Sequence, residues 1–303
     1  MSSQPLTTSQ KKRSRRRWRG SSLAYVLIAP TVAVLLALSV YPLIYAIKVA
    51  FQSGNGESAH WTLEHFTRLV SDRFFLAALW HTLLYATVAL TFEFLLGLGL
   101  ALLVDRPLRG RGLFRALLLV PMMLPPVVVG VVWRLMLNPD FGAINGTLRS
   151  VGFTTDALTW TASPALAMLS VIAVDVWQWT PFIFLVLLAG LQAIPQEPYE
   201  AARLDGSSAW QTFRFITLPL LKPAMLIALL LRTMDLLRVF DQIFILTEGG
   251  PGFATETVSL YIYRAAFRFF DFGYAAAMSF ILLIITNLIS AGYIRLLQRQ
   301  EAA

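Results

Sequence analysis

The sequence predicts an all-α membrane protein with six transmembrane helices. Of its 303 residues, 57% are hydrophobic and only 14% are charged, and the mean hydropathy is +0.65. Soluble domains carry about a quarter charged residues, so this composition is typical of a membrane protein. Six apolar stretches reach the roughly 20 residues that a helix needs to cross a bilayer, and lipid leaves their backbone groups no external partner. They are residues 23–51, 76–104, 113–137, 164–190, 222–246 and 272–297.

The segment before the first span is polar and basic. Residues 1–22 are expected to form a disordered cytoplasmic tail, because they contain too few apolar side chains to pack. The span that follows is too long for the apolar core of a secretory signal and lacks a convincing small-residue cleavage site, so it is interpreted as an anchor. No internal repeat or second domain is visible. Residues 23–299 are therefore predicted to form one membrane domain.

The distribution of lysine and arginine predicts that both chain termini are cytoplasmic. With the N-terminus inside, sixteen basic residues fall on or near the cytoplasmic side and seven fall on the other side. The densest run is residues 11–19, and this clustering accounts for the net charge of +8 without a nucleic acid partner. The same orientation places the polar loop of residues 195–221 on the cytoplasmic side.

This polar loop is predicted to contain two short helices. Residues 200–204 are good helix formers. Gly206 can end the first helix, because glycine tolerates backbone angles that other residues resist. Between residues 210 and 216 apolar side chains recur at helical spacing, which predicts a second short helix with an apolar face. Pro219 is predicted to stop that helix.

Two predicted spans carry polar side chains at membrane depth, where charged groups face protein or a wet cavity. One reading is that the opposite charges at positions 232 and 235, and at 238 and 241, simply pair along the fifth span. The other is that two polar faces line a path on which aromatic rings stack on a sugar and polar groups bond its hydroxyls. Both readings can hold together, and Glu93 is expected to pair within the bundle. The path residues are Asp175, Gln178, Trp179 and Phe182 in the fourth span, and Arg232, Asp235, Leu236 and Val239 in the fifth.

No catalytic or nucleotide-binding motif is visible. A phosphate-binding loop ends in Gly-Lys-Ser/Thr, and none of the four lysines follows a glycine. The chain has no cysteine, and its three histidines have no clustered carboxylate beside them. The sequence therefore predicts a protein that is not an enzyme and that binds no metal or cofactor of its own.

The polar loop resembles the EAA loop of permeases from binding-protein-dependent ABC importers. Glu200-Ala201-Ala202, Gly206, Ile216, Leu218 and Pro219 match that loop in spacing. Residues 176–182 and 238–251 are similar to segments of the maltose-type carbohydrate subfamily, and the resemblance covers nearly the whole chain after Ser22. It implies the type I importer permease fold and a coupling helix that sits in a cleft of a cytoplasmic ATPase. The implied coupling residues are Glu200, Ala201, Ala202, Asp205, Gly206, Phe213, Ile216, Leu218 and Pro219.

The resemblance further implies a permease subunit of an ATP-driven importer for a sugar or oligosaccharide, located in the bacterial cytoplasmic (inner) membrane. The implied partners are a second permease subunit in a heterodimer, two ATP-binding subunits, which use ATP and Mg²⁺, and an extracytoplasmic solute-binding protein. In that family, residues of two spans form the sugar site. By position they correspond to Asp175, Trp179, Phe182, Arg232, Leu236 and Val239.

Other functions stay open at this point. The same class of importer could carry a polyol, a glycerol-linked phosphate or another small solute. A secondary transporter driven by an ion gradient would need ion-coordinating carboxylates and often shows inverted repeats. A membrane-embedded enzyme would need a catalytic constellation, which the sequence does not show.

Overall fold

The computed structural model describes residues 19–54, 60–105, 110–154 and 158–301, so most of the predicted basic tail lies outside the described residues. The regular secondary structure of the described part is helical apart from one pair of two-residue antiparallel strands, in which Gln52 lies opposite Trp61. The elements are α1 (Arg19–Ala50), β1 (Gln52–Ser53), β2 (His60–Trp61), α2 (Glu64–Ser71), α3 (Arg73–Asp105), α4 (Arg111–Met123), α5 (Pro126–Met136), α6 (Ala143–Ser150), α7 (Pro164–Ala193), α8 (Glu197–Leu204), α9 (Ala209–Thr212), a π-helical segment (Phe213–Thr217), α10 (Leu218–Leu236), α11 (Asp241–Leu246), α12 (Val258–Phe267) and α13 (Phe272–Glu301).

The prediction of an all-α protein with several membrane spans is confirmed. Among the described residues, five helical stretches are long and apolar enough to cross a membrane, and a bent pair of helices makes a sixth if the pair is counted as one span. Which side of the membrane the termini face stays a prediction. The five continuous spans are Tyr25–Ala50, Arg73–Asp105, Pro164–Ala193, Ala209–Leu236 and Phe272–Arg299.

The third predicted span, residues 113–137, is not one straight helix. It is divided into α4 and α5, whose axes differ by 94°. Pro125 and Pro126 lie at the break; neither can donate a backbone hydrogen bond, and a residue before proline avoids the helical region. Leu124 and Pro125 accordingly have extended ψ angles of 136° and 138°. We call this break the elbow.

The fifth span differs from the prediction at both ends. It was expected over residues 222–246, but the helical stretch begins at Ala209 and ends at Leu236. The prediction that Pro219 stops a helix is wrong: Pro219 follows the π-helical segment, in which the Leu218 amide bonds the Phe213 carbonyl, so the backbone bonding next to the proline is not α-helical. The π-helical segment before it joins α9 to α10 without a loop.

The chain divides into two compact units, with the boundary between Val49 and Ala50. Within the first, α1 carries Pro30 and Pro42 inside the helix, and its apolar side chains are exposed along most of its length. In the second, α3 and α7 form the centre of the bundle. Gly97 permits their close approach, because a side-chain carbon at this position would come within 2.7 Å of Ile183.

A cluster around Asp72 joins the helix ends next to α2. The hydroxyls of Tyr261 and Tyr274 both donate to its carboxylate, the first at 2.8 Å. Burial acts to raise the pKa of Asp72, but the hydrogen bonds from Tyr274 and Tyr261 outweigh it, so the pKa lies below its usual value. The ionised carboxylate thus holds α12 and α13 against the start of α3.

Candidate functional site: a polar cavity and a coupling loop

The loop after α7 folds into two short helices with a sharp bend between them. Gly206, in the bend, has a φ of +71°. Glycine adopts this backbone conformation without steric penalty. The amide of Ser207 donates to the carbonyl of Ala202 at 2.9 Å, which closes the end of α8. Ser208 then begins α9 with a capping box, in which its hydroxyl and the side chain of Gln211 each bond the other's backbone amide, so both helices are fixed by local bonds.

The loop carries three large apolar side chains that are mostly exposed. Leu204 is 89% exposed, Phe215 69% and Trp210 66%. In a membrane protein, large exposed apolar side chains can face lipid or a partner, so exposure alone does not assign this surface. Of the predicted coupling residues, Glu200, Ala201, Asp205, Gly206 and Pro219 are exposed, Phe213, Ile216 and Leu218 are half-buried, and Ala202 is buried.

The loop is anchored to the bundle by a contact that sequence reasoning missed. The hydroxyl of Tyr199, on α8, donates to Thr217 Oγ1 at 3.2 Å, and Thr217 is buried. The ring of Tyr199 packs against the core cluster that contains Ile194 and Leu221. Tyr199 directly precedes the Glu200 motif, but its partner Thr217 lies 18 positions further along the chain. Residues this far apart do not touch within one helix, so helical periodicity does not predict the bond.

A polar cavity of about 180 Å³ lies between α7 and the end of α10. Six of the eight predicted path residues line it, which brings the two predicted polar faces together. Its wall also includes residues from the chain beyond α10, which turns back into the bundle after Leu236 rather than continuing as a helix. The lining residues are Pro126, Asp175, Trp179, Arg232, Asp235, Leu236, Arg238, Val239, Phe240, Asp241 and Gln242.

Arg232 is the centre of a buried charge cluster beside this cavity. Its guanidinium donates twice to Glu93, at 2.7 and 2.8 Å, and once to Asp175 at 2.8 Å. Charged groups this deeply buried are tolerated only when they are paired and fully hydrogen-bonded. The expectation that Glu93 pairs within the bundle is confirmed. We call Glu93, Asp175 and Arg232 the buried charge triad.

The wall of the cavity has both charged and aromatic components. Arg232 also bonds Asp235 at 2.9 Å, the pairing along one helix that the sequence suggested, and the Asp235 side chain is 60% exposed. The second suggested pair is not formed along a helix, because α10 ends before Arg238 and Asp241 begins α11. The Arg232 guanidinium lies 4.9 Å from the centre of the Trp179 ring. This cation–π contact fixes the indole in the wall.

Two predicted path residues lie away from the cavity. Phe182 packs against the core cluster that contains Ile183 and Phe184. Gln178 is fully buried, and its amide bonds the Leu124 carbonyl at the elbow and the side chain of Gln242. Among the described residues, no group of three or more His, Asp or Glu side chains is placed to hold a metal ion.

A helical membrane bundle that combines a polar cavity with an exposed, locally fixed loop defines the transmembrane subunit of a transporter. Residues 93–301 match the family described as binding-protein-dependent transport system inner membrane component. The chain belongs to this family.

Three sugar transport permeases match this chain over most of their length. The trehalose/maltose transport system permease protein MalF of Thermococcus litoralis is 36% identical, over 93% of this chain and 96% of its own. The trehalose transport system permease protein SugA of Mycobacterium tuberculosis is 35% identical, over 90% and 88%. The lactose transport system permease protein LacF of Rhizobium radiobacter is 32% identical, over 88% and 91%.

A solved structure confirms the type I importer permease fold. It is the crystal structure of a bacterial ABC transporter involved in import of the acidic polysaccharide alginate, with a TM-score of 0.82 and 24% identity. The match covers 94% of this chain and 99% of that one.

Proposed function

We propose that this chain is a permease subunit of an ATP-driven importer that carries a sugar or oligosaccharide across a bacterial inner membrane. The observation that carries the cargo class is the similarity to a trehalose/maltose permease, 36% identical over 93% of the chain. The cavity supports it. Trp179 and Phe240 offer aromatic faces, and Asp235, Arg238 and Asp241 offer exposed polar groups to hydroxyls.

The exposed loop provides a route by which partner ATPases act on the cavity. Leu204, Trp210 and Phe215 would dock on an ATP-binding subunit, which uses ATP and Mg²⁺. From Ala209 the chain is one continuous helical stretch to Leu236, and its last turns carry Arg232, Asp235 and Leu236 in the cavity wall. A displacement of the docked loop would therefore reach the cavity through a single continuous helical stretch.

The size of the cavity supports a second permease chain. Its volume is about 180 Å³. Ligand pockets usually begin at roughly 300 Å³, so this cavity is small for a site formed by one chain. The Asp235 side chain, exposed at its edge, is available to a neighbouring subunit. We therefore infer that a second, different permease subunit completes the site, and that a solute-binding protein delivers cargo to it.

The test uses the absence of cysteine from the chain. Leu204→Cys, in the loop, should crosslink to an ATP-binding subunit in the purified complex. The matched control is Leu63→Cys, which is also exposed but precedes α2 at the other predicted side of the membrane. ATP-dependent uptake of labelled trehalose or maltose into proteoliposomes tests the cargo. Crosslinking from position 63 instead of 204, or uptake that an uncoupler abolishes and ATP does not drive, would refute the proposal.

A further inference from the structure

At the elbow, the backbone carbonyl of Leu124 has no helical partner. Leu124 is the last residue before Pro125 and Pro126, and its extended backbone turns its carbonyl out of the α4 helix. Gln178 Nε2, on α7, donates to this carbonyl at 3.0 Å. A side chain from a neighbouring helix thus supplies the hydrogen bond that the elbow lacks.

The same glutamine is bonded on its other side. Gln178 Oε1 accepts from Gln242 Nε2 at 2.5 Å, and Gln242 Oε1 accepts more weakly from Tyr85, at 3.5 Å. Gln178, Gln242 and Tyr85 are all buried, so breaking these bonds leaves polar groups unpaired at a cost in free energy. We call Gln178 and Gln242 the amide latch.

The latch joins α7 to two elements that are packed as one. A side-chain carbon at Gly130, on α5, would come within 2.9 Å of Ile245 on α11, so the two helices are in direct contact. Arg134, also on α5, donates to the Ile245 carbonyl at 3.1 Å. We call α5 and α11 together the elbow wall.

The elbow wall faces the polar cavity. Pro126, the first residue of α5, and Gln242, in the first turn of α11, both line it. On α7, Asp175 and Trp179 line it too, and they lie on either side of Gln178 in the sequence. The latch therefore sets the distance between two walls of the cavity, although Gln178 itself lies behind them.

We propose that Gln178 is a positioning residue that latches the elbow wall to α7, and that this latch keeps cargo movement coupled to ATP hydrolysis. The proposal rests on the proposed function. When the walls separate, the Leu124 carbonyl and the two amides lose buried partners, so separation is unfavourable unless the ATPases supply the free energy for it. Without the latch, the elbow wall would move independently of the ATPase cycle. ATP hydrolysis would then continue without transport of cargo.

The test compares cargo uptake per ATP hydrolysed in proteoliposomes that contain the whole complex. Gln178→Leu should lower this ratio about tenfold, the effect expected from losing one or two buried hydrogen bonds. Adding Gln242→Leu to Gln178→Leu should lower the ratio little further, because both changes break one latch. Thr180→Val is the matched control on the same helix: Thr180 is buried and its hydroxyl has no partner among the described residues, so the ratio should stay at the wild-type value.

A second measurement does not depend on activity. Val132 on α5 and Leu169 on α7 are exposed, so spin labels on cysteines at these positions report the distance between the two walls. The distance distribution should broaden in Gln178→Leu and stay unchanged in Thr180→Val. If Gln178→Leu prevents assembly, Gln242→Leu alone, which keeps the bond to Leu124, should give a smaller change in the same direction.

A wild-type uptake ratio and an unchanged distance in Gln178→Leu would overturn the latch. Failure of the wild-type complex to take up sugar with ATP would instead count against the proposed function. The distance measurement would still decide whether Gln178 holds the two walls together.

Discussion

The guanidinium of Arg232 is the cation that pairs with two buried carboxylates. Removing it leaves Glu93 and Asp175 buried side by side without a cation. Breaking a buried ion pair in this way costs about 3–5 kcal/mol. Arg232→Leu should therefore lower the melting temperature of the detergent-solubilised protein by roughly 10 °C.

The matched control for this prediction is the third carboxylate that Arg232 touches. Asp235 is mostly exposed. Exposed ion pairs contribute about 0–1 kcal/mol, so Asp235→Asn should change the melting temperature by only a few degrees. Equal melting temperatures for Arg232→Leu and Asp235→Asn would show that the buried charge triad does not stabilise the bundle.

Gly206 combines a special backbone angle with open surroundings. Its φ is +71°, and apart from Gly206 itself and its two neighbours in the chain no described atom lies within 4 Å of where a side chain would begin. Asparagine and aspartate tolerate this conformation better than other residues, so the loop should keep its shape in both variants. We predict that Gly206→Asp abolishes ATP-driven uptake, since it places a charge on the proposed docking surface, while the protein stays inserted.

Gly206→Asn has almost the same size as Gly206→Asp and isolates the effect of charge. It should retain more uptake, measured in proteoliposomes with equal amounts of inserted protein. Full uptake by Gly206→Asp, or its loss from the membrane fraction, would contradict this account of the loop.

Glu256 lies between α11 and α12, and neither of its carboxyl oxygens has a hydrogen-bond partner among the described residues. Burial raises the pKa of Glu256 from 4.5 to about 7. The guanidinium of Arg264 lies 3.3 Å from this carboxylate and acts to lower the pKa. The folded protein therefore holds this proton between pH 4.5 and about 7, where the unfolded chain releases it. Stability from this group is complete below that window and is lost as the pH rises through it.

Glu256→Gln should remove this dependence. Its melting temperature at pH 8 should exceed that of the wild type by several degrees, while the two proteins should melt together at a pH of about 4.5. If the melting temperatures of the two proteins change in parallel with pH over this range, the Glu256 carboxyl does not retain its proton in the folded state.

At the scale of single elements, hydropathy predicts the bounds of a helix correctly where the apolar stretch and the helix have the same length. The helices α3, α7 and α13 lie within a few residues of their predicted ranges. The elbow was missed even though Pro125 and Pro126 signal it, because a hydropathy window averages over a break of two residues. The end of α10 was missed for the same reason, since the apolar pattern continues to Leu246 after the helix has ended.

The candidate site was partly predictable from helical spacing. Spacing groups Asp175 with Trp179 on one face and Arg232 with Leu236 on another, and the structure brings the two faces together at one cavity. Spacing contains no information on contacts between helices. The bond from Arg232 to Glu93 spans 139 positions, and the burial of Gln178 depends on where the elbow lies.

The bond between Tyr199 and Thr217 should determine how firmly the loop is joined to α10. Thr217→Val removes the acceptor with little change in size, so α8 loses its polar tie to the π-helical segment. We expect ATP-driven uptake to fall about fivefold, because one hydrogen bond contributes roughly 1 kcal/mol. Thr217→Ser keeps the hydroxyl and should transport nearly as well as the wild type; equal losses in both variants would point to packing instead.

At the scale of the whole molecule, the function requires the exposed loop and the predicted outer loops to face opposite sides of the membrane. The basic residues favour this arrangement, with sixteen on the loop's side and seven on the other.

An odd number of crossings separates the segment around Phe153 from the loop around Trp210, because α7 is the one span between them. Both side chains are exposed, and the chain has no cysteine, so each position can be labelled alone. In intact cells, a membrane-impermeant maleimide should label Phe153→Cys and should label Trp210→Cys only after the membrane is opened. Labelling of Trp210→Cys from outside would place the loop beyond the reach of any cytoplasmic ATPase, and the route from loop to cavity through α10 could not then drive import.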